Sequence, residues 1–173
     1  KDRPFVTKEL EPTNTWNFWL VIISTLALYA TYQVSNLEAT LYLFAGIFTY
    51  GIVYTVWLKR RTWMNIVIGG LSGSFAILVG SAATGNTLSP APLILSVVLF
   101  LWTPPHFWAL AFSFKVEYAK SDIPLLPVVY GDRDTSQAIF WATLVFVVLP
   151  FVLLFYGINW LYRFVSGFGA GVC

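Results

Sequence analysis

One segment decides how this chain folds: Trp102-Thr-Pro-Pro-His-Phe-Trp-Ala-Leu-Ala111. It is an apolar stretch that carries the only histidine of the chain directly behind a Pro-Pro pair. A short polar loop follows, and it holds Glu117 and Asp122. Ionisable and helix-breaking residues are costly at the mouth of a membrane helix, so they usually mark a functional site. The segment therefore predicts a membrane-spanning helix with a site at its polar end, which favours an intramembrane enzyme.

The composition of the whole chain indicates a membrane protein. Hydrophobic residues make up 58% of the 173 residues, charged residues make up only 10%, and the mean hydropathy is +0.73. A soluble domain carries roughly 25% charged residues. No Asp, Glu, Lys or Arg occurs from Thr62 to Phe114 or from Thr135 to Tyr162. These long uncharged stretches predict an integral membrane protein.

The spacing of the charges leaves room for five membrane helices, since each needs about 20 mainly apolar residues. They are predicted at Trp16–Ser35, Ala39–Leu58, Asn65–Ala83, Ala91–Phe114 and Gln137–Tyr156. The predicted fold class is all-α, a polytopic transmembrane helical bundle. Residues 1–173 are expected to form a single membrane domain.

Five crossings would place the N-terminal segment and the loops Lys59–Arg61 and Lys115–Asp134 at one face of the membrane. Nine of the ten Lys and Arg residues then lie on that face, and only Arg163 lies opposite. The positive-inside rule predicts that this face is cytoplasmic. Nucleic acid is not expected as a partner, because no basic face exists apart from these loops. Cys173 is the only cysteine, so no intrachain disulfide can form.

Three consecutive cations, Lys59, Arg60 and Arg61, lie between the second and third predicted helices. Lys and Arg bind phosphate groups through charge-assisted hydrogen bonds, so this loop is suited to a diphosphate. Such clusters are also ordinary anchors of cytoplasmic loops, and the residues leave both interpretations open. Asn65 is either a helix cap or a polar group that reaches substrate. Small residues on the third helix are interpreted as sites of close helix packing: Gly69, Gly70, Gly73 and Gly80.

His106 also has two interpretations. A lone imidazole in a membrane helix is often a hydrogen-bonded structural group, and a bis-histidine heme is excluded because there is no second histidine. The pair Pro104-Pro105 removes backbone hydrogen bonds and predicts a bend. That bend would turn His106, Trp102 and Trp108 toward a shared cavity. Such a cavity would suit a large flat apolar ligand or a developing carbocation, since aromatic faces stabilise cations.

The loop after the fourth helix holds the carboxylates Glu117 and Asp122. They are either part of a solvated loop or hard oxygen donors for Mg²⁺, which typically takes one or two protein carboxylates plus phosphate oxygens. Three neighbours could complete a contact to a phosphate or a propionate: Lys115, Tyr118 and Lys120. The segment Ile123–Pro127 is apolar and stiff, and it is predicted to lie at the interface as a lid or a re-entrant turn.

In their order along the chain these segments resemble one family. The order is Tyr54-Thr-x-Trp-Leu-Lys-Arg-Arg-Thr-x-x-Asn-Ile-Val-Ile-Gly-Gly70, then Leu101-Trp-Thr-Pro-Pro-His-Phe-Trp-Ala-Leu-Ala111, then Tyr118-x-x-x-x-Ile-Pro-x-Leu-Pro-Val-Val129. The chain closely resembles the protoheme IX farnesyltransferases of the intramembrane aromatic prenyltransferase (UbiA-type) superfamily. The likeness runs from about Arg3 to Thr135, and Arg3-Pro4 resembles the end of the family's Arg-Thr-x-x-Arg-Pro segment.

The resemblance implies nine membrane helices around a central cavity that opens toward the cytoplasmic face. It implies two acidic motifs that bind Mg²⁺ and the diphosphate of farnesyl diphosphate. It further implies transfer of the farnesyl group to a vinyl group of protoheme IX (heme B), which makes heme O for terminal oxidase assembly. The implied partners are both substrates, the lipid bilayer, and heme A synthase or oxidase assembly factors. The implied location is the bacterial cytoplasmic membrane or, in a eukaryote, the mitochondrial inner membrane.

Together the residues and the resemblance predict a set of site residues. Glu117, at the leading acid of the second motif, and Asp122 are expected to hold Mg²⁺. The residues expected to bind substrate are Arg3, Lys59, Arg60, Arg61, Lys115 and Trp102. The residues expected to act in catalysis are His106, which would meet heme or handle a proton, and Asn65 and Tyr118, which would orient substrate.

The chain departs from the family pattern at particular places. The first Asp-rich motif should lie upstream of Lys1, Glu117 stands where Asp is usual, and Phe75-Ala-Ile77 replaces a common Pro-Pro pair. The chain also opens without an initiator Met. These features lead us to expect that it is a piece of a longer protein and that the 173 residues alone are catalytically inert.

Two alternatives belong to other functional classes. One is a prenyltransferase that acts on a quinone precursor, but such members more often carry Asp-x-x-x-Asp as the second motif, and Ser121 stands four residues after Glu117. The other is a non-catalytic membrane scaffold or binding subunit in oxidase assembly. Farnesyl transfer to heme is the preferred hypothesis.

Overall fold

The computed structural model describes residues 14–86, 89–120 and 123–152. Within these ranges every regular element is helical, which confirms the all-α prediction. The helices are α1 (Asn14–Val34), α2 (Leu37–Phe48), α3 (Asn65–Ala83), α4 (Pro90–Ser113), α5 (Lys115–Lys120), α6 (Leu126–Val129) and α7 (Gly131–Val152). A π-helical segment, Thr49–Leu58, continues α2 without interruption.

Four helices in the described ranges are long and apolar enough to cross a membrane. They are Thr15–Val34, Leu37–Leu58, Asn65–Ala83 and Pro90–Ser113. The first four predicted helices are therefore confirmed, with ends that shift by no more than two residues. The protein is an integral membrane protein.

The fifth predicted crossing coincides with α7, which begins six residues earlier than expected, at Gly131. Gly131 adopts a φ of 79°, a left-handed conformation that glycine tolerates and that turns the chain into the helix. Asp132 and Asp134 lie in the first turn, where the helix dipole stabilises negative charge. The described part of α7 ends at Val152, so a crossing that reaches Tyr156 stays a prediction.

The long helices form an open row in which each packs against its neighbours in sequence. In the described ranges α1 contacts only α2, α2 packs on α3, α3 packs on α4, and α4 packs on α7. Asn36 fastens the second of these contacts, because its amide donates to the Ala82 carbonyl at 2.6 Å and its Oδ1 caps α2 at the Ala39 N–H. The Ser74 hydroxyl donates to the Ser96 carbonyl at 2.8 Å and joins α3 to α4. Hydrogen bonds of this kind hold membrane helices together where burial of apolar surface gives no driving force.

The two ends of the row differ in charge. At one end of the row the π-helical segment and α4 end, and α3 and α7 begin. This end carries every charged residue of the described ranges except Glu38. We call it the charged end. Within the described residues, every Lys and Arg side chain that could bind an anionic group lies there.

Candidate functional site

A short segment, Ile123–Tyr130, closes the charged end between α5 and α7. Leu125, Leu126 and Pro127 are all buried, and the two leucines pack in one apolar cluster with Ile66 and Trp108. The segment includes the single turn of α6, where the Leu125 carbonyl accepts from the Val128 and Val129 N–H groups. The structure therefore shows this segment as a packed plug at the helix ends. Its predicted position at the membrane interface, as a lid or a re-entrant turn, stays a prediction.

Trp63 joins the cationic loop to this plug. Its ring lies 6.2 Å from that of Trp108 and meets the ring of Tyr130 edge-on at 5.7 Å. Aromatic pairs at such distances contribute about 0.5–1.5 kcal/mol beyond their buried area. The loop of Lys59–Arg61 and the segment after α5 are thus held together as one layer over the helix ends.

The three cations of this loop differ in exposure. Arg60 and Arg61 are exposed, and Lys59 is partly buried at the end of the π-helical segment. None of them forms an ion pair with another residue of the described ranges. Their charges are therefore available to an anionic ligand at the charged end.

Asn65 fixes the backbone of this loop from below. Its side chain is 1% exposed, and its amide donates to the Lys59 carbonyl at 3.1 Å. Its Oδ1 is buried and has no hydrogen-bond partner in the described part of the chain. The N-cap of α3 is Met64, which makes no side-chain cap, so the interpretation of Asn65 as a helix cap is wrong. Asn65 instead positions the cationic loop.

We expect Asn65→Ala to lower the free energy of unfolding by about 1–3 kcal/mol, since it leaves the Lys59 carbonyl without its donor. Thermal unfolding of the full-length protein in detergent would measure the change. Asn86→Ala is the matched control, because its exposed amide makes only a 3.4 Å bond to Thr84 in the opposite loop. Equal stability of the two variants would contradict the positioning role.

Helix α4 runs without interruption through Pro104 and Pro105, both of which are buried. The rings of Trp102 and His106 stack at 4.3 Å with an interplanar angle of 16°. Both residues lie on an exposed face of α4. An imidazole and an indole that present one continuous aromatic surface are suited to a flat apolar ligand or to a cationic centre.

The prediction that Trp108 shares a cavity with Trp102 and His106 is wrong. Trp108 is buried in the cluster beneath the plug, and its Nε1 has no partner within the described residues. Residues four apart share one helix face, whereas a residue two positions on lies about 200° further round. Without a break at the prolines, Trp108 must therefore point away from the Trp102–His106 face.

The acidic side of the site is only partly described. Glu117 is exposed in the first turn of α5, and Tyr118 is partly buried against the apolar cluster. Lys115 forms an ion pair with Asp132 at 2.5 Å, in which the Lys115 side chain is 38% exposed and the Asp132 side chain is 65% exposed. Exposed pairs contribute about 0–1 kcal/mol, so Lys115 remains available to another anion. Arg3 and Asp122 lie outside the described residues.

The donor chemistry at this end fits one predicted role, that of holding a metal together with a phosphate. Within the described ranges no group of three or more His, Cys, Asp or Glu side chains could hold a metal ion. Mg²⁺ usually needs only one or two protein carboxylates, because substrate phosphate and water supply the other oxygens. Glu117, at the same end as Lys59, Arg60 and Arg61, meets that requirement as one such donor.

A cavity of about 260 Å³ lies directly beneath the cationic loop, between the π-helical segment, α3 and α4. Its lining is mainly apolar and includes Tyr50, Tyr54, Ile66, Gly69, Gly70, Ser72, Gly73, Leu99, Thr103 and Phe107. Sequence reasoning did not find it, since no motif marks a cavity. The run of glycines on α3 is the sequence feature that could have indicated this cavity.

Three of these glycines allow side chains to lie directly on the α3 backbone. A Cβ at Gly69 would sit 2.7 Å from Cδ2 of Tyr54, one at Gly70 would sit 3.2 Å from Thr103, and one at Gly73 would sit 3.2 Å from Cδ2 of Leu99. At Gly80 a Cβ would meet no atom of the described residues within 4 Å. The interpretation of close packing is confirmed at Gly69, Gly70 and Gly73, and the described residues show no such packing at Gly80.

The π-helical segment presents two tyrosines to the cavity. The rings of Tyr50 and Tyr54 stack at 5.5 Å, and the Tyr54 carbonyl accepts from the Lys59 N–H at 2.9 Å, five residues on. Hydrogen bonds of this spacing define a π-helix, which is rare and occurs frequently at functional sites. Nothing in the sequence predicted this geometry.

Comparison with known proteins gives a consistent result. Residues 1–173 match the UbiA prenyltransferase family. Protoheme IX farnesyltransferase 2 of Paramagnetospirillum magneticum is 47% identical over 171 residues, which cover 99% of this chain and 59% of that protein. The Protoheme IX farnesyltransferase of Gloeobacter violaceus is 43% identical over 84% of this chain and 47% of its own length. That of Neorickettsia sennetsu is 40% identical over 90% of this chain and 52% of its own.

The chain spans about half the length of the curated relatives that it matches. No solved structure matches it. The family match covers the whole sequence, including the cationic loop, the cavity and the Trp102–His106 face. The chain belongs to the UbiA prenyltransferase family.

Proposed function

We propose that the protein carrying this chain is a protoheme IX farnesyltransferase. It transfers the farnesyl group of farnesyl diphosphate to a vinyl group of protoheme IX and so makes heme O for terminal oxidase assembly. The observation that carries the proposal is the 47% identity, along 99% of this chain, to a protein named Protoheme IX farnesyltransferase 2. The geometry supports it, because Lys59, Arg60 and Arg61, which form no ion pair within the described residues, lie at the charged end near an apolar cavity. A substrate with an anionic head and an apolar chain requires such an arrangement.

The proposal includes a location and a set of partners. The 173 residues form one membrane domain in a bacterial cytoplasmic or mitochondrial inner membrane, with the charged end on the cytoplasmic or matrix side, since cations accumulate there. Heme A synthase or oxidase assembly factors would receive the product.

In this proposal the cations hold the diphosphate. Lys59, Arg60 and Arg61 bind its oxygens by charge-assisted hydrogen bonds, and Lys115 and Arg3 add to the positive field. Glu117 and Asp122 would hold Mg²⁺. When bound, Mg²⁺ supplies neutralisation of the negative charge that develops on the leaving group. Asn65 keeps the loop in place through the Lys59 carbonyl, and Tyr118 orients the substrate from the acidic side.

The reaction then needs a stabilised cation, a nucleophile and a base. Diphosphate departs with both electrons of its bond to the farnesyl carbon. The allylic cation that remains is stabilised by aromatic faces, and Trp102 is the candidate for this role. The terminal carbon of the heme vinyl group attacks this cation. The positive charge that passes to the carbon beside the porphyrin is quenched by water, which loses a proton to His106. The product carries a hydroxyethylfarnesyl side chain.

We expect His106→Phe to reduce turnover about 100-fold, the lower end of the effect expected for loss of a general base. Phenylalanine keeps a ring stacked on Trp102, so the variant removes the imidazole nitrogens and little else. Trp102→Phe is the complementary control, because it changes the ring that stacks on His106 and keeps the imidazole. Heme O formed per minute by the full-length variants gives the result, and full activity of His106→Phe would exclude His106 as the base.

An acceptor competition separates the proposal from prenylation of a quinone precursor. The full-length protein in liposomes receives deuterium-labelled farnesyl diphosphate, Mg²⁺, and equal amounts of protoheme IX and 4-hydroxybenzoate. Mass spectrometry of both acceptors should find the label on heme alone. Label on the aromatic acid would favour the quinone pathway, and label on neither, with folded protein, would favour the non-catalytic scaffold.

A further inference from the structure

We infer that Trp63 is a positioning residue, which holds the cationic loop (Lys59–Arg61) against the plug so that cations and acidic segment engage one diphosphate together. The inference rests on the proposed function, since it concerns how the two charged halves of that site are kept in register. Trp63 would act through its neighbours and would not itself touch the substrate.

The two halves of the candidate diphosphate site come from separate parts of the chain. The cations lie on the loop before α3, whereas Glu117 lies on α5, which leads into the plug. Among the described residues, the hydrogen bonds of residues 59–64 all run to partners between Tyr54 and Ile68. The ion pair within the described ranges joins α5 to α7 and does not reach the loop. These polar contacts therefore do not fix the loop to the plug.

Aromatic packing of Trp63 supplies the missing connection. Its ring meets the Tyr130 ring edge-on at 5.7 Å and lies 6.2 Å from the ring of Trp108, distances at which aromatic pairs attract. Tyr130 is the last residue of the plug, and Trp63 follows Arg61 by two residues. Trp63 also packs, partly buried, against the apolar cluster that Tyr118 contacts. One ring thus joins the cationic loop, α4 and the plug.

The geometry of the charged groups should therefore depend on this ring. Cations and Mg²⁺ must reach oxygens of the same diphosphate, and a displacement of about 1 Å in such a site can lower a rate about 100-fold. Loss of the Trp63 ring leaves space between loop and plug and lets the cations shift relative to Glu117. The exposed Trp102–His106 face of α4 points away from Trp108, so a flat ligand there should be unaffected.

The kinetic test compares full-length variants at varied farnesyl diphosphate, Mg²⁺ and protoheme IX. We expect Trp63→Ala to raise the KM for farnesyl diphosphate and the Mg²⁺ concentration for half-maximal rate about tenfold, and to leave the KM for protoheme IX within about twofold. Trp63→Phe, which keeps a ring, should bring both raised values back to within about threefold of wild type. A lower rate with wild-type values of both would mean loss of folded enzyme only, and would overturn the inference.

Trp57→Ala is the matched control. Trp57 precedes the same loop, is 55% exposed and lies outside the apolar cluster, so its removal should leave both values as in wild type. Tyr130→Ala removes the partner ring from the plug side and serves as a second variant if Trp63→Ala folds poorly. It should raise the same two values, and the double variant should be no worse than the more affected single one. Independent, additive effects would overturn the contact as their cause.

A distance measurement does not depend on turnover. Spin labels at Met64→Cys and Arg133→Cys, both exposed positions, report the spacing between the loop and the start of α7 in a full-length background whose native cysteines are serine. Pulsed EPR should give one narrow distance distribution in this background and with Trp57→Ala, and a broader one with Trp63→Ala.

Equal widths in all three proteins would overturn the inference. A broader distribution with Trp63→Ala, together with unchanged protoheme IX in wild-type protein, would refute the proposed function and keep Trp63 as the residue that positions the loop.

Discussion

Replacing Arg60 and Arg61 together by glutamine should lower kcat/KM for farnesyl diphosphate by at least about 100-fold. A hydrogen bond to a charged group contributes about 1.5–3 kcal/mol, so two such contacts to one diphosphate account for this loss. Both residues are exposed at the charged end and make no ion pair in the described ranges, so the substitution breaks no structural contact there. Initial rates of heme O formation at varied farnesyl diphosphate give the result.

Arg133→Gln is the matched control for this experiment. Arg133 is an equally exposed arginine at the same end, in the first turn of α7, and no role is assigned to it. Its loss should change kcat/KM less than twofold. If the Arg60/Arg61 variant behaved like Arg133→Gln, the cations would only anchor the loop, which is the alternative that the sequence left open.

Glu117→Ala should reduce turnover about 100-fold or more and raise the Mg²⁺ concentration needed for half-maximal rate. The physical reason is that Mg²⁺ takes few protein carboxylates beside a diphosphate, so loss of one weakens its hold on the leaving group. Glu117→Asp, which restores the residue more usual in the family at this position, should keep most of the activity. The rate of heme O formation at increasing Mg²⁺ concentration, measured for the full-length wild type, Glu117→Ala and Glu117→Asp, distinguishes the three proteins.

Asp134→Ala is the control for Glu117. Asp134 is an exposed carboxylate in the first turn of α7, at the same end of the row. Its removal should leave the Mg²⁺ dependence unchanged. An unchanged Mg²⁺ dependence in Glu117→Ala as well would show that Glu117 is only a solvated loop residue.

The membrane helices could be predicted because charge has a large desolvation cost in lipid. The uncharged stretch from Thr62 to Phe114 contains two whole helices, and the structure ends both of them within two residues of their predicted ends. The start of α7 was predicted less well, because hydropathy locates the apolar part of a helix and not its polar first turn. Asp132 and Asp134 belong to that turn, where they favour the helix rather than end it.

The charged residues of the candidate site could be identified from the sequence, but the direction of its other side chains could not. Lys59, Arg60, Arg61 and Glu117 were selected because charged residues make up only 10% of this chain and cluster in a few segments, and their roles stay predictions. Which face a side chain occupies depends on whether a helix continues, and α4 continues through two prolines. Trp108 was therefore misplaced.

The cavity could not be predicted from the sequence for a related reason. It depends on a π-helical register and on a ring that lies against a glycine, and neither leaves a local pattern in the sequence. The glycines of α3 indicated close packing, and the structure shows which side chains take up the space that they leave. The buried position of Leu125–Pro127 in the plug could not be predicted either, because their apolar sequence fits an interfacial position as well as a buried one.

The most direct test of the central claim is the mass of heme extracted from membranes that contain the full-length protein, supplied with protoheme IX, farnesyl diphosphate and Mg²⁺. The account predicts a new heme that is heavier than protoheme IX by one farnesyl group and one hydroxyl group. At low farnesyl diphosphate concentration this heme should form at least about 100-fold more slowly when the Arg60/Arg61 variant replaces the wild type. Unchanged protoheme IX, with the protein present and folded, would contradict it.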